Sequence, residues 1–335
     1  MSSKLLLDIK GLGLRLRQGE RELTIVSELD LEIGRGEIVG LIGESGSGKS
    51  MTARSIIRLL PPSAELTGRV GFDDKDVLAM DRRTLARHRG NDVGFIFQDS
   101  AAHINPVRTI GDFMIEAALA NGEGSKEEAM QRAAAALEEV GISRPAERLG
   151  QYPHQHSGGM LQRVMIATVL MRSPRLIIAD EATTALDLVT QSDIVAILRE
   201  VREARGTSVL FISHDLELAA ATCDRTAVMY AGSIVEQGPS DLMETRPTHP
   251  YTAGLVTSRP SLGPEIGPLA TIPGRSVPAY EAPAGCSFSS RCPYVREECR
   301  AVRPRLEPFR AGVVACHRAD ELADTVLRSE VTEDE

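Results

Sequence analysis

The stretch Gly43-Glu44-Ser45-Gly46-Ser47-Gly48-Lys49-Ser50 has the G-x-x-x-x-G-K-[ST] spacing of a phosphate-binding loop. Its flanks have the texture that such a loop needs. Ile38-Val39-Gly40-Leu41-Ile42 is a short apolar run that reads as a buried strand, and Met51 to Leu60 reads as a helix stopped by Pro61-Pro62. A glycine-rich turn between strand and helix aims backbone N–H groups and the positive end of the helix dipole at one point. Lys49 then reaches the β- and γ-phosphates, and the Ser50 hydroxyl ligates Mg²⁺. The stretch implies a nucleoside triphosphate as ligand.

Outward from the loop, residues 1–40 alternate apolar and polar (Leu5, Leu7, Ile9; Leu12, Leu14, Leu16; Leu29, Leu31, Ile33), which suits an antiparallel sheet. Val93 to Phe97 reads as a strand ending at Gln98. From about residue 100 to 172 the chain is Ala-rich and helical in pattern, with a capping box at Ser125 and Glu128 and a helix from about Gly158 to Arg172. Strand texture returns at Leu176–Ala179, Val209–Ile212 and Ala227–Tyr230, with a helix from about Leu188 to Ala204 between the first two. This alternation predicts an α/β core with a largely parallel sheet and an inserted helical block. After Gly238-Pro239 the chain is proline-rich and irregular.

The length of 335 residues suits one large domain plus an appendage. Hydrophobic content of 42% is ordinary for a globular protein, and a net charge of −9 argues against a nucleic-acid surface. No apolar stretch approaches the ~20 residues of a membrane span, and Met1-Ser2-Ser3-Lys4-Leu5 lacks the features of a signal peptide. A cytoplasmic protein is expected, with any membrane role supplied by partners. Cys223 stands apart, whereas Cys286, Cys292, Cys299 and Cys316 fall within 31 residues. In a reducing compartment such a cluster more often holds a metal than forms disulfides. Spacings of five, six and sixteen residues lack the C-x₂-C of common zinc sites. An iron–sulfur cluster, zinc and four ordinary thiols remain open. Cys223, in helical sequence, reads as a small core residue.

Two further stretches carry chemistry. Leu176-Ile177-Ile178-Ala179-Asp180-Glu181 is an apolar run ending in two carboxylates, which a strand would point to opposite sides. Behind a phosphate loop, Asp180 suits Mg²⁺ and Glu181 suits a general base. Ser157-Gly158-Gly159-Met160 opens a helix and is a second anion-binding start.

Taken in order, the loop at 43–50, Gln98, Ser157-Gly158-Gly159, Asp180-Glu181, Ala185-Leu186-Asp187 and His214 in Ser213-His214-Asp215 resemble an ABC-type ATPase. Arg163-Val164-Met165-Ile166-Ala167, Ile104-Asn105-Pro106, His249-Pro250-Tyr251-Thr252 and the cysteine tail (Gly285-Cys286-Ser287-Phe288 and Arg291-Cys292-Pro293 through Cys299 to Ala315-Cys316-His317) narrow the resemblance to the ATPase subunits of oligopeptide and dipeptide importers (the peptide/nickel family). The resemblance implies a P-loop ABC ATPase domain over 1–240, with an N-terminal antiparallel β subdomain and a helical subdomain at about 100–172. It implies a C-terminal extension with four cysteines over 241–325, and 326–335 is expected to be a disordered tail.

By the same resemblance, Gly43 to Met51 hold ATP, with Lys49 and Ser50 on the phosphates and Mg²⁺. Ser157, Gly158, Gly159 and Met160 serve the ATP bound by a partner ATPase subunit, and Asp187 communicates across the dimer. Glu181 is the base, His214 the γ-phosphate sensor, and Gln98 and Asp180 attend Mg²⁺. Cys286, Cys292, Cys299 and Cys316 hold a [4Fe–4S] cluster. The implied partners are a second, different ATPase subunit, two membrane permeases and, through them, an extracytoplasmic substrate-binding protein, with no nucleic acid. The implied place is the cytoplasmic face of the cell membrane.

Nickel or another small solute is the alternative cargo. A soluble ABC ATPase acting on nucleic acid or the ribosome is the alternative class. Three positions depart from the family pattern. Ala182 stands where Pro is usual. His156 replaces an apolar residue before Ser157, as a polar filler or a titratable group at a dimer seam. Leu16 stands near the usual adenine-stacking aromatic, which implies modest base selectivity.

Overall fold

The computed structural model describes residues 5–183, 187–258 and 271–323. Ala185 and Leu186 of the expected motif and the tail from 326 onward lie outside the described residues. The chain divides into two compact units, one formed by residues up to Met80 and from Phe211 onward, the other by Asp81–Leu210.

The first unit begins with two long antiparallel strands, Leu5–Gln18 and Arg21–Gly34. Their apolar positions change phase between Ile9 and Leu12, and both residues are fully buried. A strand with period two cannot do this unless it bulges. The register shifts there, and Gly11 takes a φ of 57°, a conformation that glycine adopts without a Cβ penalty. Ala64–Phe72 pairs on the other side of Leu5–Gln18, and Lys75–Asp76 completes a four-stranded antiparallel sheet.

The same unit contains Ile38–Ile42, all five residues buried, paired in parallel with Arg225–Tyr230. Ser233–Pro239 then folds back antiparallel on Arg225–Tyr230. A short hairpin, Glu307–Phe309 and Gly312–Val314, extends that edge. The region after Pro239 is therefore less irregular than its proline content suggests: helices Ser240–Thr245 and Pro250–Thr257 lie within it. His249 caps the second of these, its ring Nδ1 accepting the Tyr251 N–H at 3.0 Å. Complete burial lowers its pKa to about 3, so the ring stays a neutral acceptor.

In the second unit Val93–Ile96 and Leu176–Asp180 pair in parallel. Between them in sequence come the helices Ser100–His103, Ile110–Ala120, Lys126–Glu139, Pro145–Leu149 and Gly158–Leu170. Ala129, Ala133, Ala136 and Leu137 are buried, at the spacing of one helix face. The capping box forms as expected, with Ser125 Oγ accepting from Glu128 N and Glu128 Oε2 from Ser125 N. Helix Leu188–Arg205 ends at Gly206 in the left-handed region. Its Arg205 holds Glu139 through two hydrogen bonds of 2.7 and 2.6 Å.

Several boundaries fall short of the sequence expectation. The helix after the phosphate loop ends at Ile56 rather than Leu60, and Arg58 follows with a φ of 49°. The strand before Gln98 stops at Ile96. Cys223 lies just after helix Leu216–Thr222, not inside it. Its thiol is buried, and a Cβ on Gly40 would lie 3.2 Å from its sulfur. Its burial is the core packing expected of it. Among the described residues, no helix is long and apolar enough to cross a membrane.

Candidate functional site

Strand Ile38–Ile42 delivers the chain into the loop, and Gly48 caps the helix Lys49–Ile56 that leaves it. The bend is fixed sterically at Gly43, where an added Cβ would sit 2.1 Å from the Met229 carbonyl oxygen. Lys49 turns back across the loop. Its ammonium donates to the carbonyls of Gly43 at 2.7 Å and Glu44 at 3.0 Å, and the residue is only 4% exposed. Ser47 is buried, and its carbonyl accepts the Gly232 N–H at 2.9 Å. Ser50 and Met51 follow in the first helical turn, both half-buried. A helix N-terminus beside a buried ammonium is chemically suited to a polyphosphate.

Three residues that sequence reasoning did not connect to the loop touch it. Tyr251 Oη accepts the Glu44 N–H at 2.8 Å. Burial raises the Tyr251 pKa well above its ordinary value, so the phenol remains neutral. Arg291 grips the Glu44 carboxylate through two hydrogen bonds of 2.6 and 3.1 Å. Ser276 Oγ donates to the Ser45 carbonyl at 3.4 Å. Tyr251 and Arg291 stand in stretches that carry the family resemblance, but a separation of more than 200 residues hides their contact with the loop.

In the second unit Asp180 is the last residue of its strand and is buried. Glu181 is not in the strand, which corrects the expectation that strand alternation aims the two carboxylates apart. Glu181 instead has a φ of 49°, so a left-handed backbone step sets its direction. Gln98 Nε2 donates to Glu181 Oε2 at 2.9 Å, which brings together two predicted residues 83 positions apart. Ser157 caps helix Gly158–Leu170, its hydroxyl accepting the Met160 N–H at 3.4 Å. Asp187 caps helix Leu188–Arg205, and hydrogen bonds from Thr190, backbone first, lower its pKa. His156 is half-buried with no hydrogen-bond partner on either ring nitrogen, and burial, then Arg148, lowers its pKa. That environment favours the neutral filler over a charged switch. In the first unit His214 is exposed just after strand Ser208–Ser213. Leu16 is half-buried and pairs with Leu23 and Ala64.

Cys286, Cys292, Cys299 and Cys316 all line one small cavity, alongside His249, Phe288 and Leu322. Burial raises the thiol pKa of Cys286, of Cys316 to about 11 and of Cys292 to about 12, and negative charge on neighbouring cysteines adds to each rise. Among the described residues, however, no group of three or more His, Cys, Asp or Glu is placed to hold a metal ion. The metal expected in the tail is thus not supported by the arrangement of the thiols, although they share a cavity.

A phosphate-binding loop between strand and helix, with a parallel sheet and a helical block, defines a P-loop nucleotide-binding cassette. Residues 26–184 match the model of the ABC transporter family, and 235–299 match that of the oligopeptide/dipeptide transporter C-terminal region. A Sinorhizobium fredii protein described as a probable peptide ABC transporter ATP-binding protein is 42% identical over 325 residues, covering 96% of this chain and 97% of its own. The oligopeptide transport ATP-binding protein AppD of Bacillus subtilis is 39% identical, covering 94% and 97%. OppD of Escherichia coli is 37% identical, covering 92% and 91%. Among solved structures, the dimeric bacterial ABC transporter cassette MJ0796 matches with a TM-score of 0.63 at 28% identity, over 70% of this chain and 98% of its own. The chain belongs to the family of ABC transporter ATP-binding subunits of the oligopeptide/dipeptide class. It is an ATPase.

The steric role of Gly43 is separable from that of Gly46. Gly46 also has a positive φ, 81°, but an added Cβ there meets nothing within 4 Å. Gly46→Ala should lower stability by about 1 kcal/mol, the cost of a left-handed non-glycine residue, whereas Gly43→Ala should cost clearly more and weaken ATP binding. Urea denaturation and nucleotide titration check this; equal losses at the two positions would contradict the steric account.

Proposed function

We propose that this chain hydrolyses ATP to drive peptide import across the cytoplasmic membrane. The match of residues 235–299 to the oligopeptide/dipeptide C-terminal region carries this reading beyond a generic ABC ATPase. The peptide-transport names of relatives that align over more than nine-tenths of the chain support it. The chain acts at the cytoplasmic face, paired with a second, different ATPase subunit and docked on two permeases that receive substrate from an extracytoplasmic binding protein.

In this reading Gly43 to Met51 cradle the ATP phosphates, with the Lys49 ammonium offsetting their charge. By the family resemblance Ser50, Asp180 and Gln98 would hold Mg²⁺, which would supply positive charge to the phosphate oxygens. Glu181 accepts a proton from the water that attacks the γ-phosphorus as the bond to ADP breaks. Its hydrogen bond from Gln98 fixes the carboxylate's orientation. His214 senses the γ-phosphate. Ser157, Gly158, Gly159 and Met160 complete the partner's ATP site, and Asp187 communicates across the dimer. Because each ATP site needs both subunits, ATP favours a closed pair and hydrolysis releases it.

Glu181→Gln keeps the side chain's shape and removes the base. In complexes carrying the change at both ATP sites, steady-state hydrolysis should fall by about a hundredfold or more, with ATP still bound. Turnover near the wild-type rate would contradict the assignment of Glu181.

Cys286, Cys292, Cys299 and Cys316 would hold a [4Fe–4S] cluster, which supplies a structural or redox-active clasp when bound. What speaks for it is the family resemblance and the shared cavity, against thiols that, as arranged, form no metal-holding group among the described residues. Protein purified without oxygen should contain about four iron and four sulfide per chain. Zinc in place of iron, or no metal in protein that still hydrolyses ATP, would contradict the cluster.

A further inference from the structure

The ABC-type loop motif ends at Ser50, yet the residue that follows its first glycine is held by the far end of the chain. Glu44 has three attachments. Its N–H donates to Tyr251 Oη, its carbonyl accepts from Lys49 Nζ, and its carboxylate accepts two hydrogen bonds from Arg291. Arg291 is 247 residues away in sequence, and its side chain is only 4% exposed. Its guanidinium is also fixed from behind, donating through Nε to the Pro273 carbonyl at 2.7 Å and through Nη2 to the Ile272 carbonyl at 3.3 Å. The turn that carries it is tight, because the N–H groups of Arg291 and Cys292 both donate to the Phe288 carbonyl at 3.0 Å. A planar fork gripping both carboxylate oxygens fixes orientation as well as distance.

We propose that Arg291 is a positioning residue for nucleotide binding: through Glu44 it sets the phosphate loop, so the cysteine-rich extension tunes the affinity for ATP. One of the two carbonyls that receive Lys49 belongs to the residue whose carboxylate Arg291 holds, and the other to Gly43 just before it. Rotation of Glu44 therefore displaces the ammonium from the place where the phosphates bind. The competing explanation is that the ion pair only fastens the extension to the ATPase core. Stability would then depend on Arg291, but nucleotide affinity would not.

The test uses the full-length chain, with nucleotide affinity read by titration of a fluorescent ATP analogue, KM and kcat read with the partner subunit, and folding read by thermal melting. Arg291→Gln should raise both Kd and KM by about tenfold while kcat stays within about twofold. Arg291→Lys, which keeps the charge and loses the fork, should fall between Gln and wild type. Glu44→Gln should weaken binding in the same direction, and the double variant Glu44→Gln/Arg291→Gln should be no weaker than the worse single one, as expected for one shared interaction. A lower melting temperature with unchanged Kd and KM in Arg291→Gln would overturn the proposal and leave a simple fastener. Should Arg291→Gln fail to fold, unchanged Kd in both Arg291→Lys and Glu44→Gln would overturn it equally.

Discussion

The ammonium of Lys49 is the constraint around which the first unit is arranged. The charge of a lysine that is only 4% exposed must be solvated by protein dipoles, and the carbonyls of Gly43 and Glu44 supply them. Those carbonyls converge only if the loop closes tightly. The closure depends in turn on Gly43, which alone among residue types fits against the Met229 carbonyl. Gly232 and Tyr251 hold the loop from outside, at the Ser47 carbonyl and the Glu44 N–H. The functional cation is thus also the loop's internal clasp, and the surrounding strands supply the frame that it needs.

That frame reaches past the ATPase motifs. The chain has seven Phe, five Tyr and no Trp, so its aromatic packing is concentrated where it occurs. Tyr230, Tyr251 and Phe288 meet with ring centroids 4.7 to 5.4 Å apart. They come from a core strand, from helix Pro250–Thr257 and from the cysteine-bearing loops. Such pairs contribute about 0.5–1.5 kcal/mol each beyond area burial. Phe288 also lines the cysteine cavity. The extension therefore shares one hydrophobic cluster with Val228 and Val235 of the core strands, and the cavity lies beside the phosphate loop's supports rather than on a detached tail.

Much of this was legible in the sequence, for physical reasons that differ from part to part. The phosphate loop has a fixed residue order because backbone geometry and ligand chemistry restrict each position. Buried strands such as Ile38–Ile42 and Leu176–Asp180 are continuous apolar runs, and Ser125 with Glu128 announces a helix start locally. The bulge at Gly11 shows in the sequence as a change of phase between Ile9 and Leu12, but only the paired strand gives it meaning. The strand reading ran one residue too far, because the left-handed step at Glu181 leaves no signature in residue type. Arg291 and Tyr251 were visible as motif members, whereas their hold on Glu44 depends on tertiary contacts across more than 200 residues. The cysteine tail was legible as a cluster in sequence and is one cavity in space, but the thiols as arranged do not form a ready metal site.

The most direct measurement is calorimetric titration of Mg-ATP into the purified chain and into Lys49→Ala, with melting curves to verify that both are folded. Loss of the ammonium should weaken ATP binding by about a hundredfold or more, close to 3 kcal/mol. Binding within twofold of wild type by a folded Lys49→Ala chain would contradict the account, because the phosphates would then be held somewhere other than in this loop.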